Sequence, residues 1–390
     1  MPKVTEPIKK IQHKDGTVRW RFRADMGRDV SGKRIQQWRT FNTLKEARDE
    51  WNRIQVAKAD GVQVVPRKLT VDTYLGQWLE GKRNLKPGTR RTYEDNLKHV
   101  RERLGEVEVQ KLTVAQLDKL ITWMLTSGRR VGNVKRQAIS AATVCRTLTV
   151  LSQALDAAMR QGIVARNVAS LIERPRHTNT ETMTWTGTQA AKFLSSVSED
   201  RLYAGWLMSL CGLRRGEVLG LRWSDIDFVK KTLTISNVRS YVAGIIIEDE
   251  PKTERSKRTL PLDAKLLQAL EALRVRQMDQ SMNADEAYEP ECPLCLEPHV
   301  IVDELGRPYR PQWYGDRFQA LSKLVGMPVI RLHDARHTCG TLMHLRGVPV
   351  AVISAWLGHA SAAFTMSRYV HSQDPALLEA GEAHVRAITG

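Results

Sequence analysis

A chain of 390 residues carrying 60 Lys+Arg against 43 Asp+Glu, a net charge of +17, exceeds one ordinary domain and suits either an anionic partner or a solvated basic surface. Its five cysteines, at 145, 211, 292, 295 and 339, are odd in number and scattered, without the pattern of a disulfide framework, which fits a reducing compartment. No apolar run approaches the ~20 residues that span a bilayer, and MPKVTEPIKK has no apolar signal core, so a cytoplasmic protein with no membrane partner is expected.

The charge is unevenly spread. Residues 1–65 hold 15 Lys+Arg and 8 Asp+Glu, residues 66–176 hold 21 and 10, and the remaining 214 residues hold 24 and 25. The first half therefore reads as an electrostatic clamp, and the second half must act through a few placed charges.

In chain order, TVRWRFRADMGRDVSGKRIQQWRTF alternates as short strands around Gly32, and Thr43, with Glu46 three residues on, opens a helix. Three strands and a helix follow from this. Arg19, Arg21, Arg23, Arg34 and Arg39, with Trp20 and Trp38 among them, suit either a face laid on a DNA groove or a solvated sheet with an aromatic back. Residues 61–68 read as a linker broken by Pro66. Helical periodicity then runs through Val71, Leu75, Trp78 and Leu79; Tyr93, Leu97, Val100 and Leu104; Leu117, Leu120, Ile121 and Met124 behind a Thr113/Gln116 capping box; and Val144, Leu148, Leu151 and Leu155 behind Ser140. An all-helical domain is expected here. Its basic residues, such as Arg90, Arg91, Arg129 and Arg130, fall at helix starts and loops, where phosphates are met. A second boundary falls within 173–182. Beyond it come helices at 188–197 and 200–211, a β-rich interval in which GIIIEDEPKTERSKRTLPL reads as a hairpin with a polar tip, and helical pattern from Trp313 to the end.

Four signatures stand in order in the second half: GLRRGE with Arg214, EPKTERSKR with Lys252, RLHDARH with His333 and Arg336, and LGH with His359, followed ten residues later by Tyr369. Taken alone, each has an ordinary explanation. Arg214 suits a solvated helix start, His333 a core histidine, Arg336 a surface pair near Asp334, and Tyr369 a core aromatic. As an ordered set they resemble the catalytic residues of the tyrosine recombinases, the phage-type integrases. That resemblance covers 177–390 closely, and the helical segment with its LKPGT turn is similar to the family's core-binding domain. Residues 1–65 more distantly resemble its arm-binding module.

The resemblance implies an α+β multidomain chain. An arm-type DNA-binding domain of small sheet plus helix spans 1–65, a helical core-binding domain 66–176, and a mainly helical catalytic domain with a small antiparallel sheet 177–390. It implies a site-specific recombinase of a phage or other mobile element, working as a homotetramer on core and arm attachment sites in double-stranded DNA. A host DNA-bending protein and an excisionase would set direction. Arg214 and Arg336 would clamp the phosphate, His333 would act as base, Lys252 on the hairpin tip as general acid with Lys257 its nearest rival, His359 as hydrogen-bond donor or brace, and Tyr369 as nucleophile. A resolvase- or invertase-type recombinase, a type IB topoisomerase and a catalytically inactive DNA-binding regulator are the alternatives.

Tyrosine attack on a phosphodiester exchanges one phosphoester for another, so it needs no nucleotide hydrolysis, and two guanidiniums can hold the charge without a metal. The sequence contains no P-loop, dinucleotide fingerprint or paired acidic cluster for magnesium, and no cofactor or metal is expected. CPLC at 292–295, with His299 behind it, lacks a second cysteine or histidine pair nearby and reads as an inserted proline-rich surface loop.

Overall fold

A computed structural model describes residues 7–12, 16–28, 34–59, 68–131, 135–177, 183–251, 256–289, 291–359, 385–387 and 389. The chain divides into two compact units, Met1–Asn179 and Thr180–Gly390.

The first unit holds two separate hydrophobic cores. Strands β1 (Lys9–Gln12), β2 (Val18–Arg28) and β3 (Arg34–Phe41) form an antiparallel sheet in that order, followed by helix α1 (Leu44–Ala59). Thr43 and Glu46 cap α1 reciprocally, each backbone amide donating to the other's side chain at 3.2 Å. Strand alternation puts Phe22 and Ala24 under α1, where they meet Ala47, Ile54 and Trp51. The opposite face carries Arg19, Arg21 and Arg23. Trp38, half exposed, lies beneath the Arg21 guanidinium at 4.3 Å. Trp20 packs on the helix side, so the two tryptophans serve different faces.

The second core belongs to helices α2 (Val71–Glu80), α3 (Pro87–Leu104), α4 (Val114–Ser127) and α5 (Ala141–Arg160). The periodic apolar residues read from the sequence are those buried, with Tyr93 only partly so. Thr113 and Gln116 form the expected capping box and Ser140 caps α5. One feature departs from an all-helical reading: Arg129–Val131 and Lys135–Gln137 pair as a two-stranded hairpin, β4 and β5, so Arg129 and Arg130 lie on a strand. Arg90 donates to the Leu79 carbonyl at 3.0 Å and Arg91 pairs with Asp95 at 3.2 Å, so both have intramolecular roles.

The second unit is built on helices α6 (Gly187–Ser196), α7 (Tyr203–Leu210) and α8 (Arg215–Gly220) and strands β6 (Ile226–Asp227), β7 (Thr232–Ile235), β8 (Val238–Val242), β9 (Ile245–Asp249) and β10 (Arg258–Pro261). Helices α9 (Ala264–Ala284), α10 (Pro311–Leu324), α11 (Leu332–Leu345) and α12 (Val350–Leu357) complete it. Trp185, Phe193, Trp206, Tyr314 and Phe318 interlock at the centre, with ring centroids 4.4–5.9 Å apart. Two sequence expectations change here. The GIII and RTLPL runs do not pair with each other: β9 pairs with β8, while β10 pairs with β7 in a β10-β7-β6 sheet. The short turn at Ala243–Gly244, both at positive φ, closes β8 onto β9 first. The interval before Trp313 also contains the long helix α9. Asp263 caps it, and Leu266, Leu270, Leu273 and Gln277 form its buried face.

Candidate active site

Helix α11 sets the geometry. Leu332, Arg336, Cys339 and Gly340 follow helical spacing and are all buried, so Arg336 points inward with the core residues rather than out to solvent. Asp334 is not its partner. That carboxylate accepts from Arg331, from the backbone amide at 3.0 Å and from Nη2 at 2.8 Å, capping the helix. Arg336 instead donates to two backbone carbonyls, Gly212 at 2.6 Å and Leu357. Gly212 must be glycine: its φ is +97°, and an added Cβ would lie 2.7 Å from Leu357 Cδ2.

Arg214 arrives from the turn after α7. Its Nη2 donates to the Gly358 carbonyl at 2.8 Å and its Nη1 to Glu217 Oε1 at 2.6 Å. The end of α12 therefore gathers both guanidiniums, Arg336 on Leu357 and Arg214 on Gly358, beside His359. Gly358, left-handed at φ +62°, turns the chain there. Glu217 is fully buried and is bound from its other side by Arg258 of β10, at 3.1 Å and 2.9 Å. Arg258 Nε donates to the Trp356 carbonyl at 2.7 Å, tying β10 to α12. Burial would raise the Glu217 carboxyl, but the hydrogen bonds and charge of Arg258, with the charge of Arg214, hold it below the ordinary carboxylate value.

The two histidines face this positive field. His333 is pushed below its usual value by desolvation, then by Arg336 and Arg214, with Asp334 opposing. His359, buried, is pushed down to about 4 by desolvation and the same two arginines. Both shifts favour the neutral imidazole. His333 and His337, one turn apart, meet edge to face at 4.9 Å. An open cleft of about 550 Å³ lies in front, lined by Arg214, Arg215, Tyr241, Gln312, Arg331 and His333 among others.

Of the residues singled out in the sequence, the structure thus brings Arg214, His333, Arg336 and His359 together. Lys252 and Tyr369 lie outside the described residues. Lys257, the rival acid, is paired with Glu250 at 2.9 Å. Sequence reading missed Glu217 and Arg258 as members of the cluster. Both stand inside quoted motifs, GLRRGE and SKR, and only the fold reveals that a buried carboxylate joins the two.

The CPLC segment is a correction. Cys292 and His299 are buried, because the segment folds inward: Trp223 N–H donates to the Pro298 carbonyl at 3.1 Å and Val300 N–H to the Leu221 carbonyl at 2.9 Å. Pro293, Leu294, Leu296 and Pro298 remain exposed, so the segment is a surface loop at those positions and anchored at Cys292 and His299.

Residues 187–375 match the phage integrase family, and residues 70–125 match the phage integrase N-terminal SAM-like domain. The chain belongs to the phage integrase family, the tyrosine recombinases. It is 27% identical over 376 residues to a tyrosine recombinase XerC-like protein of Caldanaerobacter subterraneus subsp. tengcongensis, covering 92% of this chain and 93% of the relative. It is 25% identical over 277 residues to the ICEBs1 integrase of Bacillus subtilis, covering 70% and 71%. Its fold is similar to the Tn1549 transposon integrase solved with transposon right-end DNA, at TM-score 0.66 and 20% identity over 83% of this chain and all of that one. A lambda integrase tetramer bound to a Holliday junction matches at TM-score 0.55 and 16% identity over 92% and 95%.

Proposed function

We propose that this chain is the integrase of a phage or other mobile element and cuts and rejoins DNA at the cluster of Arg214, His333, Arg336 and His359, with Tyr369 as nucleophile and Lys252 as general acid. The observation that carries the reading is the convergence of two guanidiniums on the consecutive Leu357 and Gly358 carbonyls, beside His359 and close to His333.

The phenol oxygen of Tyr369 attacks phosphorus while the bond to the 5′ oxygen breaks, leaving a 3′-phosphotyrosyl link and a 5′-hydroxyl that later attacks in reverse. Ionising a tyrosine of pKa about 10 at pH 7 costs about 4 kcal/mol, which a base and fixed positive charge must offset. Burial and the neighbouring Arg336 favour the neutral form of His333, the form that accepts that proton and returns it on resealing. Arg214 and Arg336 stabilise the charge growing on the nonbridging oxygens, His359 donates its N–H there, and Lys252 protonates the leaving 5′ oxygen. Glu217 and Arg258 position Arg214 rather than touch DNA.

The domain division is read as 1–65 for arm sites, 66–176 for the core site and 177–390 for catalysis. Two cores within the first unit support the first boundary. The basic outer face of β2, with Trp38 stacked under Arg21, is assigned to arm-site DNA. A homotetramer acts on two duplexes, and the protein is cytoplasmic. No helix among the described residues is long and apolar enough to cross a membrane. A host DNA-bending protein and an excisionase remain the expected partners that set direction.

A nicked suicide substrate tests the reading against a DNA-binding regulator on an inactive scaffold. The wild-type chain should form a covalent protein–DNA adduct that survives denaturing electrophoresis, and Arg214→Ala and Arg336→Ala should lose it. DNA binding with no adduct from the wild type would favour the regulator.

A further inference from the structure

The CPLC segment has a chemistry that the recombination reaction does not use. The ligand atoms of Cys292, Cys295 and His299 lie within 4.8 Å of one another, and two of the three residues are buried. Thiolates and imidazole form the donor set that zinc selects over harder cations. Zinc at ~2.3 Å from sulfur and ~2.0 Å from nitrogen holds such atoms roughly 3.5–3.8 Å apart, so a small closure completes the triangle.

We propose that Cys292, Cys295 and His299 bind one zinc ion as a structural clip, with solvent at the fourth position beside the half-buried Cys295. Three further features fit. Cys295 Sγ faces His299 Nδ1 at 4.0 Å, while His299 Nε2 faces the Glu248 carboxylate at 3.2 Å. A carboxylate on the remote nitrogen fixes the tautomer that leaves Nδ1 free to ligate, a recurrent arrangement around metal-bound histidine. Leu296, directly after the second cysteine, is held at φ +55°, a conformation that leucine disfavours. It reverses the chain so that Cys292 N–H reaches the Glu297 carbonyl at 3.1 Å. Arg239 is buried with its guanidinium 3.5 Å from Cys292 Sγ and paired to Glu248. The charges close: zinc with two thiolates and a neutral imidazole sums to zero, as does Arg239 with Glu248, so the filled site buries no net charge. Binding replaces two S–H protons, released to solvent, with two Zn–S bonds.

The clip joins three pieces of the second unit. Arg239 is on β8, Glu248 on β9, and the segment at 292–299 is hydrogen-bonded to the chain at 221–223. β9 leads directly to Lys252. The ion would stiffen the hairpin that borders the cleft and carries the chain toward the general acid.

The full-length chain purified without chelator, then dialysed against metal-free buffer, should retain about one zinc per chain by elemental mass spectrometry. The apo-protein titrated with cobalt(II) should develop the near-ultraviolet thiolate-to-cobalt absorption and the intense visible bands of a four-coordinate site. Cys292→Ser and Cys295→Ser should each abolish that absorption, whereas Cys145→Ser should keep it. Glu248→Gln should weaken affinity by about 10–100-fold. Because the cobalt spectrum is read on the wild-type chain, misfolding of a variant does not obscure the outcome. A wild-type chain that holds no stoichiometric zinc and gives cobalt no thiolate band overturns the site, as does full zinc retention in the Cys292→Ser/Cys295→Ser double variant.

Discussion

Glu217 sits between the guanidiniums of Arg214 and Arg258 with essentially no exposure, and that position fixes what its loss costs. Glu217→Gln keeps the shape but leaves two cations without their anion, so a loss on the order of 3 kcal/mol is expected in urea unfolding; a wild-type midpoint would show the carboxylate to be dispensable. His359 makes stability depend on pH. Its folded value of about 4 lies below the ordinary 6.5, so between these the unfolded chain binds a proton that the folded chain does not. The contribution is intact above about pH 6.5 and is lost as pH falls toward 4, with His333 acting in the same direction. The urea midpoint should therefore drop between pH 7 and pH 5 more steeply in the wild type than in His359→Gln, and parallel drops would contradict the shift. Lys252 can be separated from the arginines by its leaving group. A 5′-bridging phosphorothioate leaves as a thiolate and needs little protonation, so Lys252→Ala should be impaired on ordinary DNA and rescued on the thio strand, with Arg214→Ala and Arg336→Ala unrescued. Rescue of all three, or of none, would move the acid to another residue, Lys257 first.

At the scale of elements, amphipathic helices were legible in the sequence wherever apolar spacing alone decides structure. Leu97, Val100 and Leu104 of α3 are buried as their period requires. The strands behave differently, because a run such as GIII states that it is extended and not which run it pairs with. The two-residue turn at Ala243–Gly244 captured β9 for β8, and RTLPL went to β7. Likewise Arg214, His333, Arg336 and His359 could be named from their motifs, whereas Glu217 and Arg258 could not, since their shared contact joins residues 41 apart. Helix α9 is the exception among the helices: despite regular apolar spacing it reads from the sequence as part of the β-rich interval, although Asp263 caps its start just beyond β10. The face of β2 supplies a test at this scale. Arg21→Ala/Arg23→Ala leaves Phe22 and the core under α1 untouched, so it should weaken binding to a distal arm-type site while core cleavage stays measurable. Unchanged arm binding would reassign that face.

Across the whole molecule, residues 1–176 carry 36 Lys+Arg against 18 Asp+Glu, while the remainder is nearly balanced at 24 against 25. Affinity should therefore come mainly from the first half and chemistry from the second. A fragment beginning near residue 66 should bind core-site DNA with a log–log salt slope of about −0.9 per phosphate neutralised, and salt-independent binding would contradict the clamp. That division matters because the exchange of phosphoesters is near-isoenergetic, so direction must come from the assembly rather than the bond chemistry. The central claim is that the guanidinium pair held by Leu357 and Gly358 serves a tyrosine nucleophile. It is tested most directly by trapping the adduct on a nicked suicide substrate, digesting both components, and locating the nucleotide-bearing peptide by tandem mass spectrometry. The expected result is a 3′-phosphate esterified to Tyr369, absent from Tyr369→Phe although that variant still binds DNA. An adduct mapped to any other side chain, or one that persists in Tyr369→Phe, would contradict it.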